Sequence, residues 1–199
     1  MALAYAKIEI EIREISLRDR PKELYKVSEK GTVPVVITTN DKVIDESLDI
    51  MLWALKNNLK QTWLPKEYKK ELRMIDMNDT IFKKWLDKYK YHDRYPDESK
   101  EFYRENCRET LDTYETQLKN TKYLIANKIN ITDIAIFPFV RQFANVDYIW
   151  FENNYENLKK WLNEISNSNL FKSIMEKYDL WDPQNATIVN FDNELLEYR

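Results

Sequence analysis

The sequence predicts an α+β protein: a short strand-bearing N-terminal part followed by an all-helical remainder. Three observations carry this. Ile8, Ile10 and Ile12 alternate with Glu9, Glu11 and Arg13, the period of a strand with one wet face. Two β-branched or apolar runs, Val35-Val36-Ile37-Thr38 and Val43-Ile44, flank the polar tip Thr39-Asn40-Asp41 and read as a hairpin. After residue 66 the apolar side chains recur at helical spacing. The chain has one glycine, Gly31, in 199 residues, which fits a mostly helical protein and argues against glycine-rich phosphate loops.

Composition narrows the function classes. Hydrophobic residues make up 43% and charged residues 33%, an ordinary soluble balance. With 31 basic and 34 acidic residues the net charge is −3, and no face reads as basic, so nucleic acid is not an expected partner. No apolar run approaches the length that spans a bilayer, so no membrane is expected either. The opening M-A-L-A-Y-A-K lacks the basic leader and the length of a secretion signal. One cysteine, Cys107, excludes an internal disulfide and fits a reducing compartment, so a cytoplasmic location is expected.

The elements follow in order. Ala2 to Ala6 are helix formers and read as a helix end. A strand is predicted over 9–17, then the turn Arg18-Asp19-Arg20-Pro21. Pro21 opens a short helix over 22–27. The hairpin hands directly into a helix that begins at Glu46-Ser47, a carboxylate and a hydroxyl such as N-termini prefer. Residues 57–65 are polar with a proline and read as a linker.

The rest is helices. Over 66–91, Tyr68, Leu72, Ile75, Phe82, Trp85 and Tyr89 form a stripe, with Asp79 where an apolar residue is expected. The next helix covers 97–121 with Tyr103, Cys107, Leu111, Tyr114 and Leu118 on one face. Asn130 and Asp133 have the spacing of a cap and its reciprocal partner. Ile129 and Ile134 flank them as a hydrophobic staple, and the helix beyond is apolar nearly all round, with Pro138 inside it. Two more helices, over 155–166 and 169–178, precede a tail expected to be irregular after Trp181.

G-T-V-P, with E-S thirteen residues after Val33, in the order strand, turn, strand, helix, resembles the glutathione-binding half of the glutathione S-transferase family. N-D-T-I-F-K, L-D-K-Y-K-Y-H-D-R-Y-P and F-P-F-V-R-Q-F-A are similar to its bacterial, omega-like members. The resemblance implies a truncated thioredoxin-like N-terminal domain over 1–56, the linker over 57–65 and an all-α C-terminal domain of the glutathione-transferase type over 66–199. It implies a cis bond before Pro34. It implies glutathione as co-substrate, a small electrophile or mixed disulfide as second substrate in a cleft between the domains, and a homodimer. The family's first strand and the loop bearing its catalytic Tyr, Ser or Cys have no counterpart in this sequence, so Met1 is expected to be an internal helix methionine of a longer protein. No catalytic residue is assigned.

Within that resemblance, Val33 and Pro34 would offer backbone and shape to the cysteinyl part of glutathione, as a short strand adds to an edge. Glu46 and Ser47 would take the γ-glutamyl end. Arg20, thirteen residues before Val33, stands where the family carries a lysine for the glycyl carboxylate; a solvated turn arginine is an equal reading. Cys107 lies mid-helix with no cation beside it and reads as a packing thiol. His92 is the only histidine, and no metal site is expected. Asp79 reads as locally bonded rather than a ligand contact. Two functions stay open: a transferase that conjugates glutathione or reduces mixed disulfides, and a non-catalytic binding or dimerisation scaffold on the same fold.

Overall fold

A computed structural model describes residues 1–58 and 60–191. The chain forms two compact units, one from Met1–Gln61 together with the segment from Ser168 onward, the other from Thr62–Asn167.

The first unit opens with α1 (Ala2–Tyr5), β1 (Ile10–Ile12), α2 (Lys22–Val27), β2 (Val36–Ile37), β3 (Val43–Ile44) and α3 (Ser47–Lys56). Ile8, Ile10 and Ile12 are half-buried while Glu9, Glu11 and Arg13 face water, as the alternation demands. The strand is shorter than the alternation suggests. After Ile12 only a single bridge continues, from Glu14 to Leu180.

β2 and β3 pair antiparallel, Val36 opposite Ile44 and Ile37 opposite Val43. Their tip closes with Asp41 at φ +61° and the Thr38 N–H donating to Lys42 O at 2.9 Å. α3 turns Ile50, Ala54 and Leu55 inward, and α1 packs against it with Ala2 and Ala4 buried. The Asn58 amide donates to Tyr5 O at 3.4 Å, tying the end of α3 to α1.

Within its described residues, the tail forms a strand where irregular chain was expected. After α10 (Asn169–Ser173), β4 (Thr187–Val189) pairs antiparallel with β1, Ile10 opposite Val189 and Ile12 opposite Thr187. The Trp181 N–H donates to Glu14 O at 2.8 Å, and the Arg13 guanidinium lies over the Trp181 ring at 5.1 Å. The sequence concealed this strand because Ala186 to Val189 is too short and too exposed to show alternation.

The second unit is helical: α4 (Lys69–Met77), a π-helical segment Asn78–Phe82, α5 (Lys83–Lys90), α6 (Lys100–Leu118), α7 (Ile131–Val146), α8 (Tyr148–Asn154) and α9 (Glu156–Asn167). The buried stripe runs Glu71, Ile75, Asn78, Phe82, Leu86 and Tyr89, passing through the π segment. Leu72 and Trp85, expected in the stripe, are only half-buried, because their neighbours Glu71 and Leu86 take the inward positions. Asp79 is held locally, accepting the Asn78 amide at 3.1 Å with Lys83 at 3.5 Å.

α7 begins with a complete capping box. Asn130 Oδ1 accepts the Thr132 N–H at 2.9 Å and Asp133 Oδ2 accepts the Asn130 N–H at 3.0 Å. Ile131, Ile134, Ile136, Phe137, Val140 and Phe143 behind it are all buried. Glu115 of α6 does the same for a neighbour: its two oxygens accept the Asn157 and Leu158 N–H groups at 3.1 and 2.8 Å, at the open end of α9. Trp63, inside the segment read as linker, is buried, and its carbonyl accepts the Ile131 N–H at 2.9 Å.

Candidate functional site

The candidate site is built where the loop after α2 meets the start of α3. The loop turns at Gly31, whose φ of +58° lies in the region that glycine enters without strain. A Cβ there would stand 2.3 Å from Cε1 of Tyr25, so both conformation and space require glycine. Beyond it the Val33–Pro34 peptide bond is cis. Val33 is 47% exposed, and among the described residues its backbone N–H and C=O make no hydrogen bond. Val33 therefore keeps one backbone donor and one acceptor without a partner among the described residues.

Glu46 and Ser47 are both exposed and begin α3, Glu46 as its N-cap. The first N–H to bond back is that of Ile50, to Glu46 O at 3.0 Å. The N–H groups of Ser47, Leu48 and Asp49 thus open the helix without intrahelical partners. The Ser47 hydroxyl has no partner among the described residues.

Lys30 joins the two halves. Its ammonium bonds Glu46 Oε1 and lies 3.7 Å from Asp45 Oδ2, and Asp45 in turn accepts the Ser28 hydroxyl at 3.0 Å. The hydrogen bond to Glu46, with Asp45 beside it, holds the Lys30 ammonium above the ordinary lysine range. Lys30 thereby ties the loop that continues into Val33 and Pro34 to Glu46, the residue before Ser47 at the start of α3. Lys30, Asp45 and Ser28 are the members that sequence reasoning missed. The only signal for Lys30 was its place beside the chain's one glycine. Arg20 is exposed just before α2, with no hydrogen bond or ion pair among the described residues, and nothing joins it to this group.

Cys107 is fully buried in α6, and burial pushes its thiol up to about 12, so it is protonated at neutral pH. His92 lies beside Asp93 at 3.2 Å, at the start of a short turn after α5. Among the described residues no three His, Cys, Asp or Glu stand together as a metal site, and no helix is long and apolar enough to cross a membrane.

The helical unit carries a groove of about 530 Å³, lined by Ile81, Lys84, Trp85, Lys88 and Tyr95 among others. The Lys88 ammonium sits 5.2 to 5.8 Å from the rings of Trp85, Tyr95 and Tyr103. Tyr95 donates to Asp87 at 2.9 Å, and Ile81 and Phe102 stand 45% and 42% exposed nearby.

Comparison with known proteins agrees with the two units. Residues 1–56 match the family model for the glutathione S-transferase N-terminal domain, and residues 77–169 match that for the glutathione S-transferase C-terminal domain. No curated protein matches the chain. Among solved structures, the chain is similar to the glutathione transferase URE2P6 of Phanerochaete chrysosporium, solved with oxidized glutathione, with a TM-score of 0.76 at 18% identity over 87% of this chain and 86% of that one. It is similar to BphK, a bacterial glutathione S-transferase solved as a ternary complex, with a TM-score of 0.72 at 17% identity over 86% and 88% of the two chains. A possible glutathione S-transferase of Rhodopseudomonas palustris gives 0.71 at 18% identity over 92% and 86%. With both domain models matched in order over most of its length, this chain is a member of the glutathione S-transferase family.

Proposed function

We propose that this protein binds glutathione at the Val33–Ser47 site and works as a glutathione-dependent transferase or disulfide reductase in the cytoplasm. The observation that carries the reading is the unpaired backbone of Val33, on the loop that Lys30 ties to the exposed Glu46 at the start of α3. A γ-linked tripeptide offers an extended amide for the edge and a zwitterionic end for Glu46 and the opening of α3. The relative from Phanerochaete chrysosporium, solved with oxidized glutathione, supports the ligand class. Cys107 is not the nucleophile in this reading, because a buried, protonated thiol neither attacks nor is reached.

Calorimetry with reduced glutathione tests it. Wild type should bind, Glu46→Gln and Ser47→Ala should bind about tenfold more weakly, and Val33→Ala should bind nearly as wild type, because the edge is backbone. Arg20→Ala should weaken binding if the arginine meets the glycyl carboxylate, and should be silent if it is solvated. Absence of any binding by wild type would end the reading. Binding without transfer to a chromogenic electrophile and without disulfide reduction would select the second reading, a non-catalytic module.

A homodimer goes with this function. The exposed Ile81 and Phe102 beside Trp85 form an apolar face that a second copy would cover. Ile81→Asp should shift the protein toward monomer in sedimentation, and an unchanged dimer would place the contact elsewhere.

A further inference from the structure

We propose that Lys30 is a specificity residue of this site, taking the α-carboxylate of the ligand's γ-glutamyl end while Glu46 takes the adjoining ammonium; this rests on the glutathione reading above. Lys30 lies three residues before the open edge at Val33, on the same loop, and its side chain reaches Glu46 at the start of α3. The pair is not buried: the side chains of Lys30 and Glu46 are 54% and 61% exposed. Exposed pairs hold weakly, so a ligand can insert its own two charges at small cost.

An α-amino acid end carries an ammonium and a carboxylate on one carbon, the mirror of the Glu46–Lys30 pair. Each partner has capacity to spare. A lysine ammonium has three N–H donors, and a carboxylate has two acceptor oxygens. Asp45, 3.7 Å from Lys30 and fixed by the Ser28 hydroxyl, keeps the ammonium at this mouth when Glu46 turns to the ligand. The arrangement selects for a free γ-glutamyl end bearing both charges, and against ligands with that carboxylate blocked.

The test pairs a protein change with a ligand change. Lys30→Met keeps the length of the stem and removes the charge, and at an exposed site it should leave the melting temperature unchanged. Binding is measured by calorimetry with glutathione and with glutathione amidated at the γ-glutamyl carboxylate. The expected result is about a tenfold loss for Lys30→Met with glutathione, no difference between the proteins with the amide, and recovery in Lys30→Arg. Wild type that binds glutathione while Lys30→Met binds it equally, or more tightly, would overturn the role of Lys30 alone. So would an equal loss for both ligands. Wild type that binds neither ligand would instead bring down the glutathione reading, and this assignment with it.

Discussion

The indole N–H of Trp161 donates to Asp133 Oδ1 at 2.9 Å. The same oxygen accepts the Leu124 N–H at 2.9 Å, and the other accepts the Asn130 N–H at 3.0 Å. One fully buried carboxyl thus joins the cap of α7, the turn before it and α9. Trp161→Phe would keep a ring against Phe137, whose centroid lies 6.2 Å away, but would leave Asp133 short of a donor. A loss of ~1–3 kcal/mol of stability is expected, read by chemical denaturation. A silent substitution would show that the indole N–H contributes nothing.

The same carboxyl sets a pH dependence. Burial pushes Asp133 up from 3.8 to about 6, against the pull of its N–H donors. The folded state therefore holds this proton more tightly than the unfolded chain does. Its contribution to stability is complete below about pH 3.8 and is lost as pH rises through about 6. The difference corresponds to ~3 kcal/mol. In Asp133→Asn, whose amide does not titrate in this window, that slope should disappear, although the variant is less stable overall through its lost acceptor. Thermal melts of both proteins across the window decide it, and parallel curves would assign the slope to another group.

Gly31 makes the loop that carries Lys30 and Val33. Alanine there meets two obstacles, a φ of +58° and a Cβ 2.3 Å from the Tyr25 ring. Gly31→Ala should lower stability by ~1–3 kcal/mol and should also weaken glutathione binding by displacing the loop. Adding Tyr25→Ala would remove the collision but not the backbone strain, so recovery should be partial. Full recovery would mean that the ring alone demands glycine.

Much of this was legible in the sequence because it rests on local chemistry. The alternation of Ile8 to Arg13, the hairpin around Thr39–Asp41 and the Asn130–Asp133 cap are short-range patterns that backbone geometry enforces. The exposure of Val33, Glu46 and Ser47 follows from their place at a loop and a helix mouth. What was hidden depends on residues far apart. Lys30 meets Glu46 only because Gly31 redirects the chain. Trp85 leaves the buried stripe because Leu86 beside it takes the inward position, a choice between neighbours that helical spacing alone leaves open. β4 finds its partner across most of the chain's length.

Cys107 gives a simple check on the helical core. With no exposure and a thiol pushed up to about 12, it should not react with a thiol reagent such as dithionitrobenzoate in the native protein. Reaction should appear only across the unfolding transition, with one equivalent of thiol released. Rapid native labelling would mean that α6 opens locally.

The pairing of β4 with β1 makes the last prediction. Without β4, the described part of β1 presents unpaired N–H and C=O groups along its edge, together with the apolar faces of Ile10 and Ile12. Among the described residues the returning segment is held, besides the ladder, by Trp181 N–H to Glu14 O, the Arg13 guanidinium over the Trp181 ring, a side-chain hydrogen bond between Trp181 and Glu11, and the Asn190 amide to Glu9 at 3.3 Å. Phe191 adds a buried ring. A protein ending at Asp179 should therefore keep a helical unit that melts as in wild type, while β1 becomes sensitive to protease and the protein associates at high concentration. Trp181→Ala, which removes the stacking but leaves the backbone bond, should show a weaker form of both effects. If the shortened protein resists protease at β1 as wild type does and stays dispersed, the pairing does not protect that edge.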